Sequence, residues 1–399
     1  MRNLSIKWLW GAYGWLLLTT FPIQVNADAP DFDYQLQSNL RSYIYQGERY
    51  QNSDDYNLYS DNYSQLMMNF FSRYQYQRLS FPLKVRASEK VSFDKENDKS
   101  QIIVDEALLD YSLTDTFIVN AGRKQLVNGV AMGNNPTDFL NLNKFQDRHL
   151  SDQQRRSEII GNNLVGVMNY FSSSSLQFYY LPSESASWLQ YSLNTPKINT
   201  DTGISYYHNS SNALGINIST TITDKVTGYI ENSLSDKRNR SVIDAHGNLN
   251  SKSGIFNELV LGSQYTFDNG INFNAEYWYN QHGYTESEYD NIYVAVAAGK
   301  IHRTDASKYL NVRNRYKNKL FIRLSDAPIN ADIKLEQTFI HGLNDNSNFL
   351  RSTVINQVSK NSTLRVSVEF YQGNSQSEYG SNPINYGLFL SWQYFWNSH

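Results

Sequence analysis

Apolar residues recur along this chain at every second position. Leu364, Val366, Val368 and Phe370 share one face of an extended segment, and Arg365, Ser367 and Glu369 share the other. That period belongs to a β-strand, because successive side chains leave opposite faces of a pleated backbone. The same alternation sets Phe81, Leu83, Val85 and Ala87 against Lys84, Arg86 and Ser88, and Leu214, Ile216 and Ile218 against Gly215, Asn217 and Ser219. It predicts strands at 33–46, 62–77, 80–93, 100–113, 115–125, 162–171, 175–182, 186–194, 202–209, 214–222, 226–235, 256–267, 271–281, 316–326, 331–341, 349–358, 361–371 and 385–396. Strands 100–113 and 115–125 alternate poorly: the adjacent Asp105 and Glu106 fall on opposite faces.

These strands run to about ten residues, beyond the usual 5–6 of soluble sheets and near the 9–11 that cross a bilayer at a tilt. Their polar faces carry charges, so that face meets water. Tyr and Phe gather at strand ends, as in an aromatic girdle. Closure into a barrel satisfies every strand edge, which hydrocarbon demands. The expected fold is therefore all-β, a transmembrane antiparallel barrel of 18 strands, with 16 as the alternative because 175–214 is the weakest part of the count. Short turns are expected on the periplasmic side and long polar loops outside. The stretch 126–161 is too long for an ordinary connection and is read as a loop folded into the barrel after the fifth strand.

Composition narrows the class further. The 399 residues include 30 Tyr, 20 Phe and 7 Trp but no Cys, which excludes disulfide scaffolds, thiolate metal sites and cysteine nucleophiles. Residues 1–27 read as a signal peptide: Arg2 and Lys7 precede an apolar Trp8–Leu18, and Val25-Asn26-Ala27 offers a cleavage site. Residues 28–399 then form one barrel domain. A net charge of −3, or −5 once Arg2 and Lys7 leave, argues against a nucleic-acid partner. The expected partners are outer-membrane lipids, the barrel-insertion machinery and a small hydrophilic solute. No cofactor is called for. The seven His show no metal-ligand spacing. Ser205 and His208, considered as a nucleophile and base beside His341 and Glu336, have opposite parity on one strand, so no enzyme is expected.

One stretch is distinctive: Ala121-Gly122-Arg123-Lys124-Gln125-Leu126-Val127-Asn128-Gly129, continuing to Asn135-Pro136-Thr137-Asp138. A strand ending Gly-Arg-Gln, then a Trp-Gly pair, then Asn-Pro-x-Asp, resembles outer-membrane porins and alginate-export-like channels. Gly122, Arg123, Gly129, Asn135, Pro136 and Asp138 match. Lys124 is an extra residue, and Asn128 stands where the pattern has Trp. The resemblance implies a channel, either for passive diffusion or for polysaccharide export. Its glycines are expected at positive φ or at close backbone approaches.

Within the inward loop, Arg123, Lys124, Asp138, Arg155 and Arg156 are the expected constriction residues, with an Arg123–Asp138 ion pair as the structural alternative. Strand parity adds Arg73, Lys84, Arg86, Arg323, Lys334, Arg351 and Arg365, with Glu231, Glu258, Glu276, Glu336 and Glu369, to the lumen wall. Charge on a lipid face is costly, roughly 2–4 kcal/mol for Lys or Arg near midplane. The near balance of signs disfavours a path dedicated to a polyanion. Trp278 is the large aromatic whose parity points inward. Asp345 with Asn344, Asn346 and Ser347 reads as a turn rather than a calcium loop.

Overall fold

In the computed structural model the described residues are 31–46, 62–93, 98–141, 144, 149–244, 246–250, 253–302, 316–374, 377–381 and 384–397. The leader predicted at 1–27 lies outside them. Among the described residues the chain forms β1 (Asp31–Gln46), β2 (Tyr63–Tyr76), β3 (Leu79–Ser92), β4 (Lys99–Ser112), β5 (Phe117–Lys124) and β6 (Asn162–Tyr170). Next come β7 (Ser174–Leu181), β8 (Ala186–Thr195), β9 (Thr200–His208), β10 (Asn212–Thr223), β11 (Val226–Lys237) and β12 (Ser253–Thr266). The last six are β13 (Asn272–Asn280), β14 (Asn318–Pro328), β15 (Ile333–Gly342), β16 (Asn348–Ser359), β17 (Ser362–Gln372) and β18 (Tyr386–Asn397). A two-stranded hairpin, Val242–Ile243 with Leu249–Asn250, and helices α1 (Asp152–Ser157) and α2 (Glu286–Ala297) lie in the connections.

Each strand pairs antiparallel with the next, and β18 pairs with β1 through Trp396 opposite Leu36, Trp392 opposite Leu40 and Leu388 opposite Ile44. The sheet therefore closes on itself with 18 strands, as the longer count predicts, and leaves no free edge. No strand bound departs from its expected position by more than three residues. Both termini of the barrel and the turns 77–78, 224–225 and 360–361 share one end, here the turn end. The connections 125–161, 281–317 and 373–385 share the other, the loop end.

Polarity divides the wall as the alternation requires. Leu388, Leu390, Trp392 and Trp396 are exposed on the outer face, while Phe389, Ser391 and Gln393 are buried within. The outer face is apolar around the whole ring, with Leu40, Val165, Phe178, Ile204, Leu214 and Ile230 among its exposed residues.

Strand β4 resolves the poor alternation. Lys84 of β3 faces Glu106, but Val85 faces Val104, so Asp105 is an extra residue in a β-bulge. On the loop side of the bulge Ile103 faces inward opposite Arg86. On the turn side Glu106 and Leu108 do so, and Asp105 itself is fully buried. Two consecutive carboxylates thus enter the lumen together. The expectation that they take opposite faces fails because it assumes an unbroken period of two.

Candidate constriction site

The connection after β5 crosses the lumen. Its tip, Val130 to Gly133, reaches β11 and β13, where two carboxylates receive it. Val130 N and Ala131 N donate to Glu231 Oε2 at 2.9 and 3.0 Å, and Thr137 N and Oγ1 donate to Oε1 at 2.9 and 2.8 Å. Met132 N and Gly133 N donate to Glu276 at 2.6 and 3.1 Å, with Tyr229 Oη and Trp278 Nε1 donating to the same carboxylate at 2.6 Å each. On the tip's other edge Arg155 Nη2 donates to Met132 O at 2.8 Å and Arg156 Nη2 to Ala131 O at 3.4 Å. Gly129 has φ +98°, and a Cβ there would run into the Glu231 carboxylate. Gly122, at φ +130°, lies against the Ala107 carbonyl. Both glycines are thus required by backbone geometry.

From the tip the chain returns across the lumen to a different wall. His149 Nε2 meets Glu369 of β17 at 3.2 Å, and Gln154 donates to Gln393 of β18 at 2.6 Å. Helix α1, started by a Ser151/Gln154 capping box, carries Arg155 and Arg156. Glu158 then pairs with Arg41 of β1 through both terminal guanidinium nitrogens and with Arg86 at 3.5 Å, while Arg86 also holds Asp105 at 2.8 Å. Gln125 closes the loop's base by donating to Ser157 O and Ile159 O and accepting from Lys84 at 3.2 Å.

The two sides of this partition differ. Toward β6–β10 the space holds an apolar cluster of Leu126, Phe139, Leu140, Leu164, Tyr179 and Trp188. Toward β14–β18 and β1–β4 charged side chains stand beside two further apolar clusters, one around Phe321, Ile340 and Phe349 and one around Tyr43, Leu150 and Phe389. A slot of about 50 Å³ runs between Met132, Leu150 and Arg155 of the loop and Arg323, Glu336 and Arg351 of the wall. Beside it lies a cavity of about 340 Å³ edged by Arg41, Tyr63, Arg86, Lys144 and Glu158, and again by Leu150 and Arg155. Within the slot wall Glu336 pairs with Arg323 at 3.0 Å and Arg365 at 3.8 Å, and Arg351 pairs with Glu369 at 3.1 Å. Arg155 and Leu150 border both spaces.

The predicted lining residues therefore separate into groups. Arg155, Arg323 and Glu336 line the slot, Arg365 and Glu369 stand behind it paired with Glu336 and Arg351, and Arg86 reaches the adjoining cavity. Lys84 joins them through Gln125, and Lys124 also faces inward, donating to Tyr179 Oη at 3.0 Å. Arg73 is exposed toward the turn end, as is Lys334, which pairs with Asp326 at 3.0 Å, so these two mark a mouth and not a constriction. Glu231 and Glu276 are corrected from lining groups to anchors, because their carboxylates are consumed by loop amides. Arg156 binds the loop's own carbonyl. Arg123 is corrected to the outer face: its parity opposes that of Asn120, and it donates to Asn163 Oδ1 and Val104 O, each at 2.9 Å.

The Arg123–Asp138 pair does not form. Asp138 instead accepts from Asn128 N at 3.2 Å and Asn141 Nδ2 at 2.8 Å inside the loop, where burial pushes its carboxyl up to about 6. Trp278 does face inward, but it stacks on Phe321 and lies beneath Gly133, so no open aromatic platform results. Asp345 accepts from Ser347 and from Glu378 N, as a turn residue does. Ser205 is buried inside and His208 is exposed outside, as their parity requires. Sequence reasoning missed Arg41 and Glu158. Arg41 alternates with Leu40 and Ile44 on β1, a signal of the same kind as those used elsewhere.

A lipid-compatible closed barrel of 18 strands, partitioned by an inward loop, is the architecture of an outer-membrane porin. Solved structures agree. A BenF-like porin from Pseudomonas fluorescens Pf-5 aligns with a TM-score of 0.58 at 9% identity, over 92% of this chain and 99% of its own. Pseudomonas aeruginosa OccK5 (OpdH) aligns at 0.55 and 8%, over 92% and 99% of the two chains. Outer membrane protein OprD from Pseudomonas aeruginosa gives 0.54 and 8%, over 94% and 96%. At these identities the likeness is one of fold. No protein-family model matches the chain, and no curated protein sequence does.

Proposed function

We propose that this chain is an outer-membrane channel for passive diffusion of small hydrophilic solutes, reached through a cleaved leader and the barrel-insertion machinery. Solutes would pass between the inward loop and the wall of β14–β16, past Arg155, Arg323, Glu336 and Arg351. The observation that carries this reading is the loop's double attachment. Glu231 and Glu276 hold its tip on one wall while Glu158 and His149 hold its return on another, which leaves a narrow charged slot and not an empty bore. Arg155, Arg323, Arg351 and Arg365 outnumber Glu336 and Glu369 around that slot, which favours selection by size with a weak preference for anions. The loop end would face outward and the turn end the periplasm.

The resemblance to alginate-export-like channels offers polymer export as an alternative. A polymer would need the tip withdrawn, and its hold by two buried carboxylates weighs against that. Planar-bilayer recording tests the proposal. Stepwise single-channel currents are expected, with permeability to small neutral and charged solutes falling steeply with size. A purified, heat-modifiable barrel that passes no current would refute it in favour of a closed, adhesive or structural barrel.

A further inference from the structure

A second cavity lies apart from the slot. It measures about 480 Å³ and sits at the loop end between the hairpin tips of β9–β13 and the far side of the inward loop. Its floor is the 134–141 segment, which is fixed beneath by Thr137 on Glu231 and by Asn128 bonding to Thr137 O and Asp138. Below the floor Asn128 also donates to Ser205 Oγ at 3.4 Å and accepts from Gln190 at 3.1 Å. The cavity is therefore a bowl open to the loop end rather than a stretch of the passage.

Amides and hydroxyls dominate its lining: Asn134, Asn135, Asn209, Ser210, Ser233 and Asn239. Lys237, Arg238, Arg240, Asp138 and Glu258 also line it, and with Glu288 behind Arg238 three cations stand against three carboxylates. Arg238 donates to both Glu288 oxygens at 2.9 Å and to the carbonyls of His282 and Gly283, and Arg240 faces Glu258 and stacks over Tyr284. Burial and the two neighbouring guanidinium groups hold the His282 imidazole down at about 4, so it is neutral at ordinary pH. Its 3.6 Å approach to Glu258 is then no ion pair. Phe139 and Tyr207, stacked at 6.0 Å, supply one apolar wall.

We infer that this bowl binds a neutral polyhydroxylated solute, a sugar of one or two rings. The volume falls within the roughly 300–1,000 Å³ of small-molecule sites and holds on the order of 16 waters. A sugar presents many hydroxyls that both donate and accept, which matches a lining of amides and hydroxyls. An anion or cation would find no excess of opposite charge. The site stands whether or not the slot conducts, so it fails or holds independently of the channel reading.

The test is calorimetric titration of the full-length, detergent-folded protein with sucrose, using sodium sulfate as the anionic control. Saturable millimolar binding of sucrose and none of sulfate is expected. The paired variant Ser233→Val with Asn239→Leu should weaken sucrose binding at least tenfold while keeping heat-modifiable migration. Saturable binding of sulfate without sucrose would overturn the inference, as would no saturable heat with sucrose for the wild-type protein. Equal sucrose binding by a folded S233V/N239L protein would place the sugar elsewhere and also overturn it.

Discussion

Replacing Glu231 by Ala should free the tip of the inward loop. The carboxylate accepts four hydrogen bonds, from the amides of Val130, Ala131 and Thr137 and from the Thr137 hydroxyl, and it is fully buried. Bonds to a charged group contribute roughly 1.5–3 kcal/mol each, and a buried amide left without an acceptor costs about 1–3 kcal/mol. Three stranded amides give about 3–9 kcal/mol. Water entering the vacated space recovers part of it, so ~3 kcal/mol is the working figure. That lowers the docked-to-free ratio of the tip by a factor on the order of 10². Glu276 still holds Met132 and Gly133, so the tip would flicker instead of leaving. Single-channel recording in planar bilayers should then show a larger mean current with fast open-state noise. Quiet, wild-type currents from both Glu231→Ala and the double Glu231→Ala, Glu276→Ala protein would refute the assignment of these carboxylates as anchors.

Four further outcomes follow from the same structure. Gly129→Ala should reproduce the Glu231→Ala noise, because a Cβ at φ +98° meets the same carboxylate; quiet currents would count against the close approach. The raised Asp138 carboxyl favours the protonated loop, so its contribution to docking is full below about pH 4 and is lost as pH rises through about 6. Open-channel noise should therefore increase between those values, and Asp138→Asn should remove that step. Arg41→Met removes the bidentate partner of Glu158 but leaves Arg86 beside it, a loss of about 1.5–3 kcal/mol, readable as a lower temperature for the heat-modifiable gel transition. Trp396→Ala should slow insertion modestly, whereas deletion of 385–399 removes β18 and the closing pair with β1; a truncated chain that still became heat-modifiable in the outer membrane would contradict the closure.

Period two was enough to read the wall, because lipid outside and water inside impose opposite chemistry on neighbouring residues. Leu364 to Phe370 show this at every position, and Leu83 to Ser88 do the same. Alternation cannot report contacts made across the lumen. Glu231 and Glu276 carry the same parity signal as Glu336, yet the first two meet loop amides and the third meets arginines. The difference lies in where residues 130–137 travel, which no local pattern records. Arg123 failed for a related reason: a motif at a strand end places a residue near the loop without giving its face. Asn120 and Lys124 would have given that face.

Strand β4 carries a residue the barrel lattice does not need. With Asp105 deleted, Val104 would adjoin Glu106, Val104 would still point outward, and Ile103, Glu106 and Leu108 would still point inward. One-residue deletions elsewhere in an unbulged strand turn part of that strand inside out. Position 105 is thus a length-neutral insertion point, where a carboxylate joins the lumen without displacing any neighbour from its face. The partner it serves, Arg86, belongs to the unbulged β3 and also touches Glu158. A single inserted residue is therefore enough to rewire the charge of a passage while the wall around it keeps its frame.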